Sequence, residues 1–248
     1  MSGDGAALYT HRSETVSTDR GSGDPIVFAH GTLMDRTMFD PQIEALSDEY
    51  RTVAYDLRAR TDRYAEPYDL DDLVADAVRF LDARDIDSCV LCGMSMGGFM
   101  GLKFALQHPD RLDGLVLVDS MAKPHSEEDQ ERHTQTSEAI REAPQVPREA
   151  AEPVTHDLFG ATTREERHDL MNAWIDRWTT YPGESVYNEV HSWLGREDLR
   201  EKVGDIDVPV LAVHGGRVAR NRGGARVVRG DSRPDVRADS RGRSLLEL

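Results

Sequence analysis

Short apolar runs alternate with amphipathic segments through the first half of the chain. Apolar runs of the buried-strand type cover residues 25–29, 52–55, 89–92, 113–119 and 208–213. Helical patterns cover residues 37–48, 69–84 and about 97–107. Strands that are apolar on both faces and alternate with helices are typical of a parallel sheet covered on each side. The pattern therefore predicts an α/β fold with a mostly parallel sheet and helices on both faces.

The pattern changes between two of these strands. Residues 120–204 are acidic and helical in character, and they carry all three tryptophans of the chain. We interpret this stretch as a helical cap inserted into a single α/β core. Residues 1–119 then form the N-terminal part of the core, and residues 205–216 return to it as a strand.

The last 32 residues differ from the rest of the chain. Residues 217–248 contain nine Arg and four acidic residues, with no Lys and no aromatic residue. Without a helical or alternating period, this segment is predicted to be disordered. A basic tail that pairs with the acidic body is the alternative. The abrupt change also fits translation in a shifted reading frame, which resequencing around codon 216 would test.

The net charge of −16 narrows the classes of partner. So acidic a protein is not expected to bind nucleic acid or an anionic membrane. Only three of the 30 basic residues are Lys, and many acids with little Lys are typical of adaptation to high salt, where acidic self-repulsion is screened. A field that repels anionic substrates is the alternative explanation.

The chain has neither a long apolar segment nor a secretory signal at its start, so a cytoplasmic location is expected. Cys89 and Cys92 lie three positions apart on a predicted strand. Their side chains should point to opposite faces of the sheet, which rules out a mutual disulfide or a shared metal. We predict that both are small core residues.

Gly-Met-Ser-Met-Gly at residues 93–97 follows a buried strand and opens a helix. Gly-x-Ser-x-Gly in that context forms a sharp turn that exposes the serine at the carboxyl edge of the sheet. The backbone N–H of Met96 and the helix N-terminus then lie where an oxyanion would form. These features predict that Ser95 is a nucleophile.

Several stretches resemble the α/β-hydrolase superfamily, in particular its esterase, lactonase and cofactor-free haloperoxidase-like members. The matching stretches are 27–31, 55–58, 93–98, 108–112, 115–119 and 209–215. The resemblance implies attack of Ser95 on a small ester or lactone, without a cofactor or a metal. It also implies that the second oxyanion N–H comes from the loop after the first buried strand, where we assign Thr32. A serine at position 95 argues against the haloalkane dehalogenase branch.

The chain departs from this family in two places. The family pattern Asp-x-Arg-Gly-x-Gly reads Asp-Leu-Arg-Ala-Arg-Thr at residues 56–61. More seriously, no acid follows residue 214 before Asp231, and no histidine follows His214. The acid and the histidine that the resemblance implies near the C-terminus are therefore missing.

Other residues are possible substitutes for the missing acid and histidine. Asp119, at the end of its strand, is a possible substitute acid, against a role in stabilising its loop. His125 and His191 are alternative bases, against simple packing or solvation in the cap. His30 is expected to pack its loop rather than act as a base.

We interpret the chain as a serine hydrolase of reduced activity, because a serine without a base is a weak nucleophile. A non-catalytic ligand-binding protein on a hydrolase scaffold is the alternative. The last strand and helix of the α/β core are expected to be missing. A third possibility is therefore a chain that folds poorly, because their loss would expose a sheet edge and an uncovered apolar face. The sequence leaves open whether the protein forms a homo-oligomer.

Overall fold

A computed structural model describes residues 15–214 and 227–228 of the chain. Its strands form one sheet in the order β1-β3-β2-β4-β5-β6-β7. The strands are β1 (Ser17–Arg20), β2 (Pro25–Ala29), β3 (Arg51–Tyr55), β4 (Cys89–Met94), β5 (Leu112–Val118), β6 (Val210–Val213) and β7 (Val227–Val228). Apart from β1, which runs antiparallel to β3, neighbouring strands are parallel. The predicted α/β architecture is confirmed.

The first strand, β1, lies at the edge of the sheet. It starts at Ser17, which pairs with Tyr55 on β3. Pairing with the edge of a larger sheet stabilises so short a strand, whereas an isolated two-stranded hairpin is only marginally stable. Residues 1–14 lie outside the described residues.

The helices of the core alternate with the parallel strands. They are α1 (Asp40–Leu46), α2 (Leu70–Asp82) and α3 (Met96–Gln107). Asp69 starts α2 as its N-cap, accepting from the N–H groups of Asp71 and Asp72, while the Asp72 carboxylate reaches back to the N–H of Asp69. This reciprocal capping explains why the acidic start of the segment marks its first turn.

Apolar residues cover both faces of the sheet. Phe28, Phe39, Ile43 and Cys92 belong to a smaller cluster on the side of α1. Cys89 lies in the larger cluster on the opposite face, with residues of α2, α3 and the cap. Both cysteines are buried and free, in agreement with the prediction that they are core residues on opposite faces. Burial raises the pKa of each thiol to about 12.

Helices fill the stretch between β5 and β6 that we interpret as the cap. They are α4 (Glu127–Ile140), α5 (Arg148–Ala151), α6 (Thr155–Leu158), α7 (Ala161–Glu166), α8 (His168–Trp178) and α9 (Gly183–Leu194). Trp178 and Trp193 are buried in the larger apolar cluster. The cap is therefore continuous with the core through its aromatic residues.

Strand β7 stands at the edge of the sheet where the sequence predicts that the last strand is missing. Its two residues, Val227 and Val228, pair in parallel with Ala212 and Val213 of β6. The rest of the 217–248 segment lies outside the described residues, and so does its predicted disorder. Within the described part of the chain, every helix is too short or too polar to cross a membrane.

Candidate active site

Ser95 occupies a strained turn between β4 and α3. Its backbone has φ 48° and ψ −112°, a conformation that non-glycine residues rarely adopt. The Ser95 N–H donates to the carbonyl of Val118 at 2.9 Å, and its own carbonyl accepts from Gly98 and Phe99 in α3, each at 2.9 Å. The surrounding backbone thus holds the strained conformation in place, as the Gly-x-Ser-x-Gly pattern predicts.

Gly97 allows the start of α3 to lie directly against β2. A Cβ atom at this position would clash with the carbonyl groups of Ala29 and His30. Met96 is the first residue of α3, so its N–H is one of the helix amides without an intrahelical acceptor. The close approach therefore places a free helix N-terminus beside Ser95.

The loop after β2 lies on the other side of Ser95. A Cβ built on Gly31 would stand 3.3 Å from the Cβ of Ser95, which shows how closely this loop approaches the serine. The next residue is Thr32, whose buried hydroxyl has no hydrogen-bond partner among the described residues. The structure therefore brings the loop of Thr32 together with Ser95 and Met96.

A buried ion pair joins this loop to the cap. Arg60 donates from Nη2 to Oε2 of Glu189 at 2.9 Å, and the side chains are 3% and 0% exposed. The same carboxylate oxygen accepts the N–H of Leu33 at 3.1 Å, and Arg60 Nε donates to the carbonyl of Met34 at 3.0 Å. Glu189 and Arg60 therefore hold the N–H of Leu33 and the carbonyl of Met34 in the loop that follows Thr32.

An aromatic ring packs against this pair. The guanidinium carbon of Arg60 lies 3.8 Å from the ring centre of Tyr181, a cation–π arrangement. Oε1 of Glu189 has no hydrogen-bond partner among the described residues. Burial raises the pKa of Glu189, while Arg60 and the N–H of Leu33 act in the opposite direction. A charged group so enclosed depends on its partner.

His30 packs against the loop that contains Thr32. Its Nδ1 lies 2.9 Å from the carbonyl of Gly31, and its Nε2 accepts the N–H of Leu57 at 2.9 Å. Burial and the charge of Arg60 lower the pKa of His30 to about 3, so the ring is neutral. With both nitrogens bonded to backbone, His30 has the contacts expected of a loop-packing residue.

Asp119 and His214 meet on the opposite side of Ser95. Nδ1 of His214 contacts Oδ1 of Asp119, and the two side chains are 47% and 42% exposed. Asp119 has a positive φ of 45°, and its N–H donates to the carbonyl of Val213 at 2.9 Å. The predicted substitute acid therefore has a histidine partner, and that partner is the residue after β6.

The two alternative histidines have partners within the cap. His125 accepts from Arg196 at 2.9 Å and packs against Trp193, with ring centres 5.0 Å apart. Burial and the charge of Arg196 lower its pKa to about 4. His191 lies 3.5 Å from the hydroxyl of Ser137. Among the described residues no histidine ring, that of His214 included, hydrogen-bonds with the Ser95 side chain, so these two differ from His214 in their cap partners.

Two cavities in the described part of the chain lie away from Ser95. One, of about 600 Å³, runs beside β3 and α2 and includes Asp56 and Arg79 in its lining. The other, of about 370 Å³, lies within the cap beside Met171. The predicted substrate pocket between the sheet edge and the cap stays a prediction.

Sequence reasoning located some of these residues and missed others. It singled out Ser95, Thr32, Met96 and Asp119, and the structure places all four at the carboxyl edge of the parallel strands. It missed the role of Glu189, one of many acids in an acidic cap. Residues 59–61 read Ala-Arg-Thr where the family pattern has Gly-x-Gly, and this departure drew attention to Arg60. The sequence did not show that Glu189 is its partner, so it did not indicate what Arg60 does.

The comparisons with known proteins concern the fold that carries this site. A family model described as the alpha/beta hydrolase fold matches residues 24–217. The chain belongs to this family. The match covers β2 to β6 together with the cap, so the family resemblance seen in the motifs is confirmed.

Individual relatives include lactonases and esterases. 3-Oxoadipate enol-lactonase 1 of Acinetobacter baylyi is 29% identical over 192 residues, covering 77% of this chain and 70% of that protein. A thermophilic esterase from Thermogutta terrifontis superposes with a TM-score of 0.74 at 27% identity, covering 81% of this chain and 74% of the esterase. An enol-lactonase from Burkholderia xenovorans LB400 gives a TM-score of 0.73 at 24% identity, over 81% of this chain and 77% of that one, a likeness of fold alone.

Proposed function

We propose that this α/β hydrolase is a serine hydrolase that acts on a small ester or lactone. In this proposal the hydroxyl of Ser95 attacks the carbonyl carbon of the substrate. The observation that carries it is the strained backbone of Ser95 at the start of α3, which presents the hydroxyl at the sheet edge. Relatives named as an enol-lactonase and an esterase support this substrate class.

The oxyanion would be held by two backbone N–H groups. Met96 contributes the first, at the N-terminus of α3, where the helix dipole adds partial positive charge. Thr32 contributes the second. The N–H of Leu33 is already donated to Glu189, so Thr32 is the residue of this loop that we assign to the substrate.

The activity of this chain is expected to be low in comparison with other members of the family. Residues 215–248 contain no histidine, so they do not supply the base that the resemblance implies after His214. An oxyanion hole and substrate binding alone leave a rate about 10³- to 10⁴-fold above that in water. Slow turnover above this floor would show that the chain still activates Ser95.

The test combines a panel of p-nitrophenyl esters with a fluorophosphonate probe, which forms a covalent bond with an activated serine. We expect labelling of the full chain that Ser95→Ala abolishes. Ser22→Ala, in the exposed turn between β1 and β2, is the matched control and should label like the wild type. Assays run with and without about 1 M KCl also test the predicted salt adaptation, because salt screens acidic repulsion.

A non-catalytic ligand-binding protein is the second candidate. The missing C-terminal histidine favours it, because a scaffold without a base could retain the pocket and lose the chemistry. Tight binding of an ester or lactone analogue, with no labelling at Ser95, would support this candidate and contradict the hydrolase.

A further inference from the structure

We propose that His214 is the general base that activates Ser95, and that Asp119 is the residue that positions it. This inference rests on the proposed hydrolase function and names the base that the sequence alone did not identify. His214 is the last histidine of the chain and follows β6 directly.

The first support is the place of the three residues in the sheet. The strands β4, β5 and β6 are parallel neighbours in the sheet. Ser95 is the first residue after β4, Asp119 the first after β5 and His214 the first after β6. The hydrogen bonds Ser95 N–H to Val118 O and Asp119 N–H to Val213 O, both 2.9 Å, continue the ladder one residue past the strand ends. The three residues therefore stand side by side at the edge of the sheet.

The second support is reach. Neighbouring strands lie about 4.8 Å apart, so the Cα atoms of Ser95 and His214 are separated by about 10 Å. The serine and histidine side chains together extend about 7 Å, and a hydrogen bond adds about 2.8 Å. This sum nearly equals the Cα separation, so the two side chains meet when both extend along the sheet edge towards each other.

The third support is the orientation of the imidazole. His214 contacts Asp119 through Nδ1, which leaves Nε2 as the ring atom for a second partner. A carboxylate that accepts the Nδ1–H selects the tautomer whose Nε2 carries a lone pair. That tautomer is the one that accepts a proton from a serine. The positive φ of Asp119 is the kind of local strain that accompanies functional sites.

The remaining candidate bases have other partners. Both nitrogens of His30 are bonded to backbone, and Nδ1 of His125 accepts from Arg196. His191 lies next to Ser137 in the cap. Among the described histidines, His214 is the one whose residue stands in line with Ser95 at the strand ends.

The proton and the electrons balance in each half of the reaction. As the Ser95 oxygen bonds to the carbonyl carbon, its proton moves to Nε2 of His214 and the carbonyl electron pair moves to the oxygen. When the carbonyl re-forms, the ester C–O bond breaks and the proton passes to the departing alkoxide. A water then repeats the sequence on the acyl-enzyme and releases the acid and Ser95.

The experiment follows fluorophosphonate labelling of the full chain from about pH 5 to about pH 9. His214→Asn keeps an amide group that can reach Asp119 but removes the proton acceptor. We expect it to label about 10²-fold more slowly than the wild type and to lose the rise of rate with pH. His168→Asn, at the exposed start of α8, is the matched control and should reproduce the wild-type profile.

Outcomes separate this inference from the proposed function. If Ser95→Ala abolishes labelling but His214→Asn keeps the wild-type rate and pH profile, His214 is not the base and the hydrolase stands. If the wild-type protein neither labels nor turns over esters, both fail. If His214→Asn shows no cooperative unfolding, His214→Ala is assayed with added imidazole. Restored labelling supports the base, and no restoration overturns it.

Discussion

The two sides of Ser95 are built in opposite ways. On the side of the Thr32 loop, the charges of Arg60 and Glu189 are almost entirely buried, with side-chain exposures of 3% and 0%. On the other side, Asp119 and His214 form a pair that is 42% and 47% exposed. In the buried pair, removing the charges from water costs free energy and the two charges attract each other strongly. In the exposed pair, water screens the attraction between the two charges.

If His214 activates Ser95 as proposed, the difference separates the residues that stabilise the fold from those that serve catalysis. The buried pair ties the backbone after Thr32 to α9, so it preorganises the amide groups assigned to the oxyanion. The exposed pair is expected to contribute little to folding, and in the proposed mechanism it moves the proton of Ser95. Variants on the two sides should therefore fail in different assays.

The largest expected effect comes from breaking the buried pair. Glu189→Ala removes the carboxylate that faces the buried charge of Arg60, so we expect the free energy of unfolding to fall by about 3–5 kcal/mol. Urea denaturation followed by circular dichroism measures this loss. The matched double variant, Arg60→Met with Glu189→Leu, removes both charges and should recover much of the stability, because an apolar pair has no unpaired charge. A loss below about 1 kcal/mol in the single variant would show that water reaches Arg60.

A smaller change in the free energy of unfolding is expected from the pH dependence of His30, which lies on the buried side with Arg60. The pKa of His30 is about 3 in the folded protein, against 6.5 for an unperturbed histidine. Below pH 6.5 the unfolded chain takes up a proton that the folded chain does not, so stability falls as the pH drops towards 3. The proton uptake of His30 in the unfolded chain therefore lowers the free energy of unfolding by about 2 kcal/mol between pH 6.5 and about pH 5, at about 1.4 kcal/mol for each pH unit.

Unfolding measured across this pH range, for the wild type and for His30→Gln, checks the contribution of His30. The variant loses two backbone contacts and should be less stable at neutral pH, but the difference between the two proteins should shrink as the pH falls. A constant difference would mean that His30 takes up its proton in the folded state.

The smallest stability effect is expected on the exposed side. Asp119→Asn removes the charge beside His214, and we expect the free energy of unfolding to change by less than about 1 kcal/mol. The same variant should label more slowly with a fluorophosphonate, because an amide does not select the required imidazole tautomer. Paired denaturation and labelling of one protein sample measure both. A loss of stability as large as that of Glu189→Ala would erase the contrast between the two sides.

Local patterns were sufficient to predict much of the fold. The strand that ends before Ser95, the helix that follows it, and the opposite faces of Cys89 and Cys92 follow from residue spacing over a few positions. Alternation and helical periodicity are local properties of the chain, so they can be recognised without knowing which distant segments each element contacts. Ser95 itself was predicted on these grounds.

The pairing of the charged residues could not be predicted in this way. Arg60 and Glu189 are 129 positions apart, and Asp119 and His214 are 95 positions apart. An acidic, Arg-rich chain offers many possible partners for each of these residues. Charge and spacing alone do not choose among them.

The sequence by itself therefore determined the turn at Ser95 and the positions where the strands end, because steric and periodic rules act between near neighbours. Only the tertiary structure decided which charges meet beside that serine. The order β4-β5-β6 brings Asp119 and His214 to the same edge, and the docking of α9 encloses Glu189 with Arg60. Contacts between distant segments depend on how whole elements pack, and that packing sets which charges are buried and which remain in water.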